Sequence, residues 1–375
     1  MKLFMVAGEP SGDRLGGALL AGFRAAGADV DVHGVGGPEM AAQGLGSLFP
    51  YEELAVMGIA EVLPKYRQLK RRIAQTAQAA IASDAAALIT IDSPDFGLRV
   101  ARQVKAARPD MKTIHYVAPS VWAWRPGRAA KMAKVIDHVL ALLPFEPPYM
   151  QAAGMTCDFV GHPVVAEPLA TDAEAAAFRA QNGIGADGRL ILVLPGSRRS
   201  EVTRLAPLFG AALQGVEARL VLPTLPHIRQ AVVELTADWS PAPLIVDATD
   251  LPMKRAAFRA ADIALAASGT VSLELAASGT PMVIAYDFNW LTRALVKRAI
   301  KVDTVTLVNL VSETRAVPEF LAEACRPELI RAGVEAVLAD PGAQRAAMAE
   351  TMARLGQGGA APGLRAAQSV LNALG

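Results

Sequence analysis

Three loops of this chain carry the residue types that group transfer needs. The first is "IDSPDFG" (91–97), where Asp92 and Asp95 follow directly on the apolar run "ALITI". A hydroxyl nucleophile needs a base within hydrogen-bond reach, and a carboxylate beyond a strand end can take its proton. One aspartate is expected to cap the helix beginning near Phe96 and the other to stay available. A metal is not expected, because no third oxygen or histidine ligand stands at a recognisable spacing. The second loop is "LPGSRRSEV" (194–202). Gly196 permits close backbone approach, Ser197 can cap a helix whose N–H groups face outward, and Arg198 either offers a fixed bidentate cation for phosphate or is a solvated arginine on a capped turn. The third, "ASGTVSLE" (267–274), repeats this arrangement without a cation. There Ser268, Gly269 and Thr270 open a helix. Glu274, one turn in, either reaches the ribose hydroxyls of a nucleotide diphosphate on that helix end or simply complements the helix dipole.

A fourth loop, "GEPSGDRLGG" (8–17), sets Glu9, Ser11 and Asp13 among glycines where a first strand turns into a first helix. No G-x-x-x-x-G-K-[ST] occurs, which disfavours phosphoryl transfer from ATP. No Ser-His-Asp spacing or nucleophile elbow occurs either. His115 and His162 sit at strands, where a satisfied structural histidine is the default. Trp122 and Trp124, beside Arg125 and Arg128, can stack on a ligand, line an apolar channel or simply pack their loop.

The elements that must position these loops alternate along the chain. Strands are expected at "LFMVA", "VDVHGVG", "ALITI", "TIHYV" and "HVLALL", then at "LILVL", "ARLVL", "LIVDA", "IALAA", "MVIAY" and "TVTLV". Apolar strands separated by crossover helices mean parallel sheets buried on both faces. Two such series predict an α/β chain of two Rossmann-like domains, 1–165 and 166–359, hinged within "GHPVVAEPLATDAEA" (161–175). A C-terminal helix over about 360–375 is expected to pack back on the first domain. Ligands of doubly wound sheets bind beyond the C-terminal strand ends, so two facing edges would make one interdomain cleft. The near-repeat "AASGT" (266–270 and 276–280) is not a duplication. Its first copy opens a helix, and in the second Gly279 closes that same helix before Pro281.

Bulk composition narrows the classes. With 37 Lys+Arg against 36 Asp+Glu, no net field invites nucleic acid. Cys157 and Cys325 lack metal-ligand spacing and suit a reducing cytoplasm. The N-terminal apolar run is too short for a signal peptide, and the greasiest stretch, Ile263–Tyr286, is broken by Glu274 and two Ser-Gly-Thr turns. One segment is ambiguous. "MGIAEVLPKYRQLKRRI" (57–73) joins Met57, Ile59, Ala60, Val62, Leu63 and Leu69 to Lys65, Arg67, Lys70, Arg71 and Arg72. It reads either as an interfacial helix at a membrane or as an amphipathic helix with its apolar side in the core.

In order along the chain, "AGEPSGD", "GVGGPEM", "VMGIAEVL", "IDSPDFG", "YVAPSVWAWR", "LPFE", "FVGHP", "LPGSR..E" and "ASGT..LE" resemble one family nearly end to end. That family is lipid-A-disaccharide synthase, glycosyltransferase family 19. The resemblance implies a GT-B architecture with UDP on the C-terminal domain. It implies an inverting transfer from UDP-2,3-diacylglucosamine to 2,3-diacylglucosamine 1-phosphate, giving a β-1,6-linked disaccharide and UDP, with no cofactor and no metal. At matching positions Asp95 looks like the general base, and Glu9, Ser11 and Asp13 like loop groups needed for activity. Gly196, Ser197, Arg198, Ser268, Gly269, Thr270, Glu274 and Asn309 look like donor-site residues. Acids at Glu9 and Asp13 can then face sugar hydroxyls or position the base, since the diphosphate lies on the other domain. A homodimer with exchanged C-terminal segments is implied, as is peripheral attachment to the cytoplasmic face of the inner membrane through Ile59, Val62, Leu63 and Leu69. The chain departs from the family at Gly97, where Asn is common, and at Val308, where Pro is common. A UDP-sugar 2-epimerase shares the two-domain plan, and a non-catalytic lipid- or nucleotide-binding relative is the other alternative. The retained Asp95, Arg198 and Glu274 speak against the latter.

Overall fold

The computed structural model describes residues 1–54, 59–122, 127–185, 187–288 and 303–375, with side chains outside 59–65. They form two compact units, Met1–Ala166 with Leu355–Gly375, and Glu167–Arg354. The first holds a seven-stranded parallel sheet: β1 (Lys2–Ala7), β2 (Asp31–Val35), β3 (Gly46–Ser47), β4 (Ala87–Ile91), β5 (Lys112–Tyr116), β6 (His138–Ala141) and β7 (Thr156–Phe159). Their order is β3-β2-β1-β4-β5-β6-β7, so the winding reverses between β1 and β4. Around it lie α1 (Pro10–Ala25), α2 (Pro38–Ala41), α3 (Ile59–Ala82), α4 (Pro94–Ala107), α5 (Gly127–Met132) and α6 (Pro147–Gln151). Period-2 alternation makes two cores, one on each face. Phe4, Val6 and Leu88 enter one, while Leu3, Met5 and Ile89 enter the other.

The second unit repeats the plan. β8 (Leu190–Leu194), β9 (Arg219–Thr224), β10 (Leu244–Asp247), β11 (Ile263–Ala266), β12 (Met282–Tyr286) and β13 (Glu319–Leu321) run in the order β10-β9-β8-β11-β12-β13, reversing between β8 and β11. Its helices are α7 (Asp172–Gln181), α8 (Arg199–Ala212), α9 (Arg229–Leu235), α10 (Leu251–Ala260), α11 (Val271–Ser278), α12 (Leu307–Ser312), α13 (Pro327–Ala339) and α14 (Gly342–Arg354). Gly279, at φ 72°, ends α11 as its left-handed C-cap. The chain then returns to the first unit with α15 (Pro362–Leu374), which puts Ala366, Ala367 and Val370 into the core beside Leu19 and Phe23 of α1. At Gly22 and Gly363 the two helix backbones meet so closely that a Cβ on either would overlap the other helix's carbonyl, Gly363 O or Ala18 O.

Strand reading fails at four places. "TVTLV" is no strand: the Val305 and Thr306 amides donate to Glu319 Oε1 at 3.0 and 2.6 Å, and Thr306 becomes the N-cap of α12. A tertiary carboxylate overrides β-propensity there. β3, β7 and β13 are not anticipated, being two, four and three residues long and without a continuous buried apolar run. Among the described residues no helix is long and apolar enough to cross a membrane.

Candidate functional site

In the first unit the loops after β1 and β4 meet at the reversal of strand order, where doubly wound sheets bind ligands. Asp92 and Ser93 both adopt the left-handed conformation, at φ 52° and 39°. Such residues cost about 1–3 kcal/mol each and persist only where neighbours hold them. Here Ser11 Oγ donates to Asp92 Oδ2 at 2.7 Å, Ser93 Oγ donates to Glu9 Oε1 at 2.8 Å, and the Asp92 amide donates to Tyr116 O at 2.9 Å. Gly12 makes this approach possible, since a Cβ there would sit 3.0 Å from Ile91 O.

The sharp turn starts α4 at Pro94, with Ser93 as its N-cap and no side-chain cap. This corrects the expectation that one aspartate caps the helix: Asp92 is engaged by Ser11 instead. Asp95, in the first turn, is exposed and has no hydrogen-bond or ion-pair partner among the described residues.

Asp13 is engaged within the fold. It is buried, and its carboxylate accepts the amides of Gly37 at 2.8 Å, Glu39 at 2.9 Å and Met40 at 3.1 Å. It caps the start of α2. Sequence spacing could not reveal this, because the acceptor and its donors are some 24 to 27 residues apart.

The histidines are structural. Burial pushes His115 down to about 4, and its Nδ1 lies 2.7 Å from Thr90 Oγ1. His162, likewise lowered to about 4 by burial, accepts the Val164 amide at 3.2 Å. Trp122 packs edge-on against Phe145 with ring centres 5.2 Å apart, while Trp124 and Arg125 lie outside the described residues. Glu146, the acid of "LPFE", is buried. Burial pushes its carboxyl up to about 7, against the Leu143 amide that donates to it at 3.0 Å.

On α3, Arg72 is bound by Glu53 at 2.6 and 2.9 Å and stacks 4.3 Å from the Phe49 ring centre. Leu69 packs against the core. These two residues face inward, whereas Arg67 and Lys70 are exposed. Met57 and the side chains of Ile59, Val62 and Leu63 lie outside the described residues.

In the second unit the predicted phosphate loops follow β8 and β11, again at the reversal of strand order. Gly196 has φ 116°, and a Cβ there would lie 2.6 Å from Glu201 Oε2, so glycine lets Glu201 fold back over the loop. Glu201 Oε1 accepts from Arg198 at 2.8 Å, and the Arg198 side chain remains 61% exposed. Arg198, not Ser197, occupies the N-cap of α8, and no side chain caps it, which corrects the reading of Ser197. Ser197 is exposed. Beyond β11, Ser268 and Gly269 lead to Thr270, the N-cap of α11, again without a side-chain cap. Both helix starts can thus accept an anion. Glu274 Oε2 accepts a hydrogen bond from Lys254 Nζ at 2.5 Å. Asn309, by contrast, is buried. Its amide donates to Val317 O at 2.9 Å and Thr304 Oγ1 at 3.2 Å and accepts the Val317 amide at 2.9 Å. These bonds pin the segment around α12. Among the described residues no group of three or more His, Cys, Asp or Glu could hold a metal ion.

Two doubly wound units with open helix starts at each reversal point define the GT-B fold. The same fold is seen in UDP-GlcNAc 2-epimerase from Neisseria meningitidis bound to UDP-GlcNAc, with TM-score 0.66, 12% identity, and coverage of 100% of this chain and 99% of that one. It is seen too in CalG4, the calicheamicin glycosyltransferase, with TM-score 0.59, 16% identity, and coverage of 100% and 98%. At such identities the likeness carries the fold alone. The family model for lipid-A-disaccharide synthetase matches residues 3–361. The lipid-A-disaccharide synthase of Ruegeria pomeroyi is 63% identical over 385 residues, spanning 100% of this chain and 96% of that protein. The chain belongs to the lipid-A-disaccharide synthetase family.

Proposed function

We propose that this glycosyltransferase joins UDP-2,3-diacylglucosamine to 2,3-diacylglucosamine 1-phosphate, forming the β-1,6-linked disaccharide 1-phosphate and UDP in one inverting displacement. Asp95 takes the proton of the acceptor 6-hydroxyl as that oxygen attacks the anomeric carbon from the face opposite UDP. The observation that carries this role is an exposed carboxylate without a partner, set by a strained turn at the reversal point of the first sheet. Glu9 and Ser11 act through that turn, as its fasteners. On the second unit, Arg198 and the uncapped start of α11 meet the diphosphate, with Gly196, Ser197, Ser268, Gly269 and Thr270 as the backbone of the two loops. Glu274 takes the ribose hydroxyls. No cofactor or metal enters this scheme.

Gly97 leaves out a side chain where α4 lies on β4, since a Cβ would stand 3.0 Å from Thr90 Cβ. Attachment to the inner membrane's cytoplasmic face is proposed through the start of α3, Ile59, Val62 and Leu63, with Arg67 and Lys70 toward anionic headgroups. A homodimer with exchanged C-terminal segments would seat α15 on the partner's α1 through the same Gly22–Gly363 approach.

The decisive assay supplies both acylated sugars and scores disaccharide and UDP, expected in equal amounts. Epimerisation of UDP-N-acetylglucosamine with no disaccharide would make the enzyme an isomerase, and UDP binding without turnover would make it a binding protein.

A further inference from the structure

Lys254 stands outside every motif used above. It lies in the first turn of α10, a start fixed by Asp250, whose Oδ1 accepts the Met253 amide at 3.0 Å. From there its Nζ reaches Glu274 Oε2 at 2.5 Å and lies 5.1 Å from the centre of the Phe258 ring, one turn further along the helix. The pair joins helices that follow two different strands of the sheet, and it is partly sheltered, with side chains 25% and 35% exposed. Among the described residues Glu274 has no other hydrogen-bond partner.

A carboxylate in the first turn of a helix is attracted to the free amides of its own helix end. If Glu274 folded back onto the start of α11, it would occupy the place a diphosphate needs. A charge-assisted bond from α10 draws it aside, fixes one oxygen and offsets its charge toward an anionic ligand. An ionised carboxylate has about four lone-pair sites, so one bond from Lys254 leaves room for two vicinal hydroxyls.

We infer that Lys254 is a positioning residue for nucleotide recognition. It holds Glu274 so that the carboxylate reads the 2′,3′-diol of the donor's ribose. The inference rests on the reading of Glu274 as the ribose contact. The experiment therefore carries a Glu274 variant alongside.

Calorimetry compares UDP with 2′,3′-dideoxy-UDP on the full chain. The unsubstituted protein is expected to prefer UDP by roughly tenfold or more, the scale of a hydrogen bond to a charged group. Glu274→Gln loses most of that preference. Lys254→Met and Lys254→Gln lose it too, with thermal midpoints near the starting value, because the pair is partly exposed. They raise the donor KM about fivefold to tenfold with kcat within about twofold, the pattern of lost ground-state binding. Lys254→Arg, which keeps the charge, restores the preference. Full discrimination in both neutral Lys254 variants, beside its loss in Glu274→Gln, overturns the role of Lys254 and leaves that of Glu274 standing. Full discrimination in Glu274→Gln removes the ribose reading itself, and the role of Lys254 with it.

Discussion

Ser93 Oγ donates to Glu9 Oε1 at 2.8 Å, and this bond ties the end of β4 to the end of β1 across the reversal of strand order. With the parallel bond from Ser11 to Asp92, it holds two successive left-handed residues that would otherwise relax. The four side chains thereby decide where α4 begins, and so where Asp95 stands.

Replacing Asp95 by Asn keeps the shape of the side chain and removes its ability to take a proton. Turnover is expected to fall by about 10²–10⁴-fold while UDP affinity is retained. EDTA is expected to leave turnover of the unsubstituted enzyme unchanged. Normal turnover in the variant would shift the base to Asp92.

Asp13→Asn is expected to act on folding. Its buried carboxylate accepts three amides at the start of α2. An amide oxygen can serve only some of them and brings an N–H₂ against the rest, a loss of about 2–4 kcal/mol readable in urea unfolding. Unchanged stability with abolished transfer would return Asp13 to the substrate.

The start and middle of α3 should separate. Ile59→Ser, Val62→Ser and Leu63→Ser together are expected to lower binding to anionic vesicles, as is high salt. Leu69→Ser, in contact with the core, should instead cost about 1–3 kcal/mol of stability and leave vesicle binding unchanged. Loss of stability in the triple variant with vesicle binding intact would place the membrane contact elsewhere.

Glu146 carries a pH signature. In the folded chain burial holds its proton up to about pH 7, against 4.5 for a free side chain. A raised carboxyl pKa stabilises the fold fully below the lower value and loses that contribution as pH rises through the higher one. His115 and His162, lowered from 6.5 to about 4, act oppositely: their contribution is present above 6.5 and lost as pH falls through 4. A direct pH profile would blend the two. The difference between Glu146→Gln and the unsubstituted protein isolates the carboxyl, and should move by roughly 2–3 kcal/mol in the variant's favour between pH 5 and pH 8.5. A flat difference would mean that Glu146 titrates normally.

What the sequence makes legible is whatever period and punctuation encode. Continuous apolar runs mark the central strands, and the glycine-bearing loops after "LFMVA", "ALITI", "LILVL" and "IALAA" mark the four strand ends that flank the two reversal points. What stays hidden is which polar side chains the fold itself uses up. Asp13 and Asn309 carry the same letters as ligand-binding groups, yet Asp13 binds amides more than 20 residues on and Asn309 the backbone of Val317. Lys254 shows the converse. Nothing in "LPMKRAAF" marks it, and only the packing of α10 beside α11 brings its ammonium to Glu274.

The first unit is finished by the last helix, α15, after the whole of Glu167–Arg354 has intervened. During synthesis, at roughly 5–20 residues per second, the nascent chain completes its first sheet on the order of ten seconds or more before α15 can emerge. Through that interval the Gly22 face of α1, with Leu19 and Phe23 near it, lacks its cover of Ala366, Ala367 and Val370. Polypeptides cut short by premature termination would carry that greasy face permanently and be marked for chaperones and proteases.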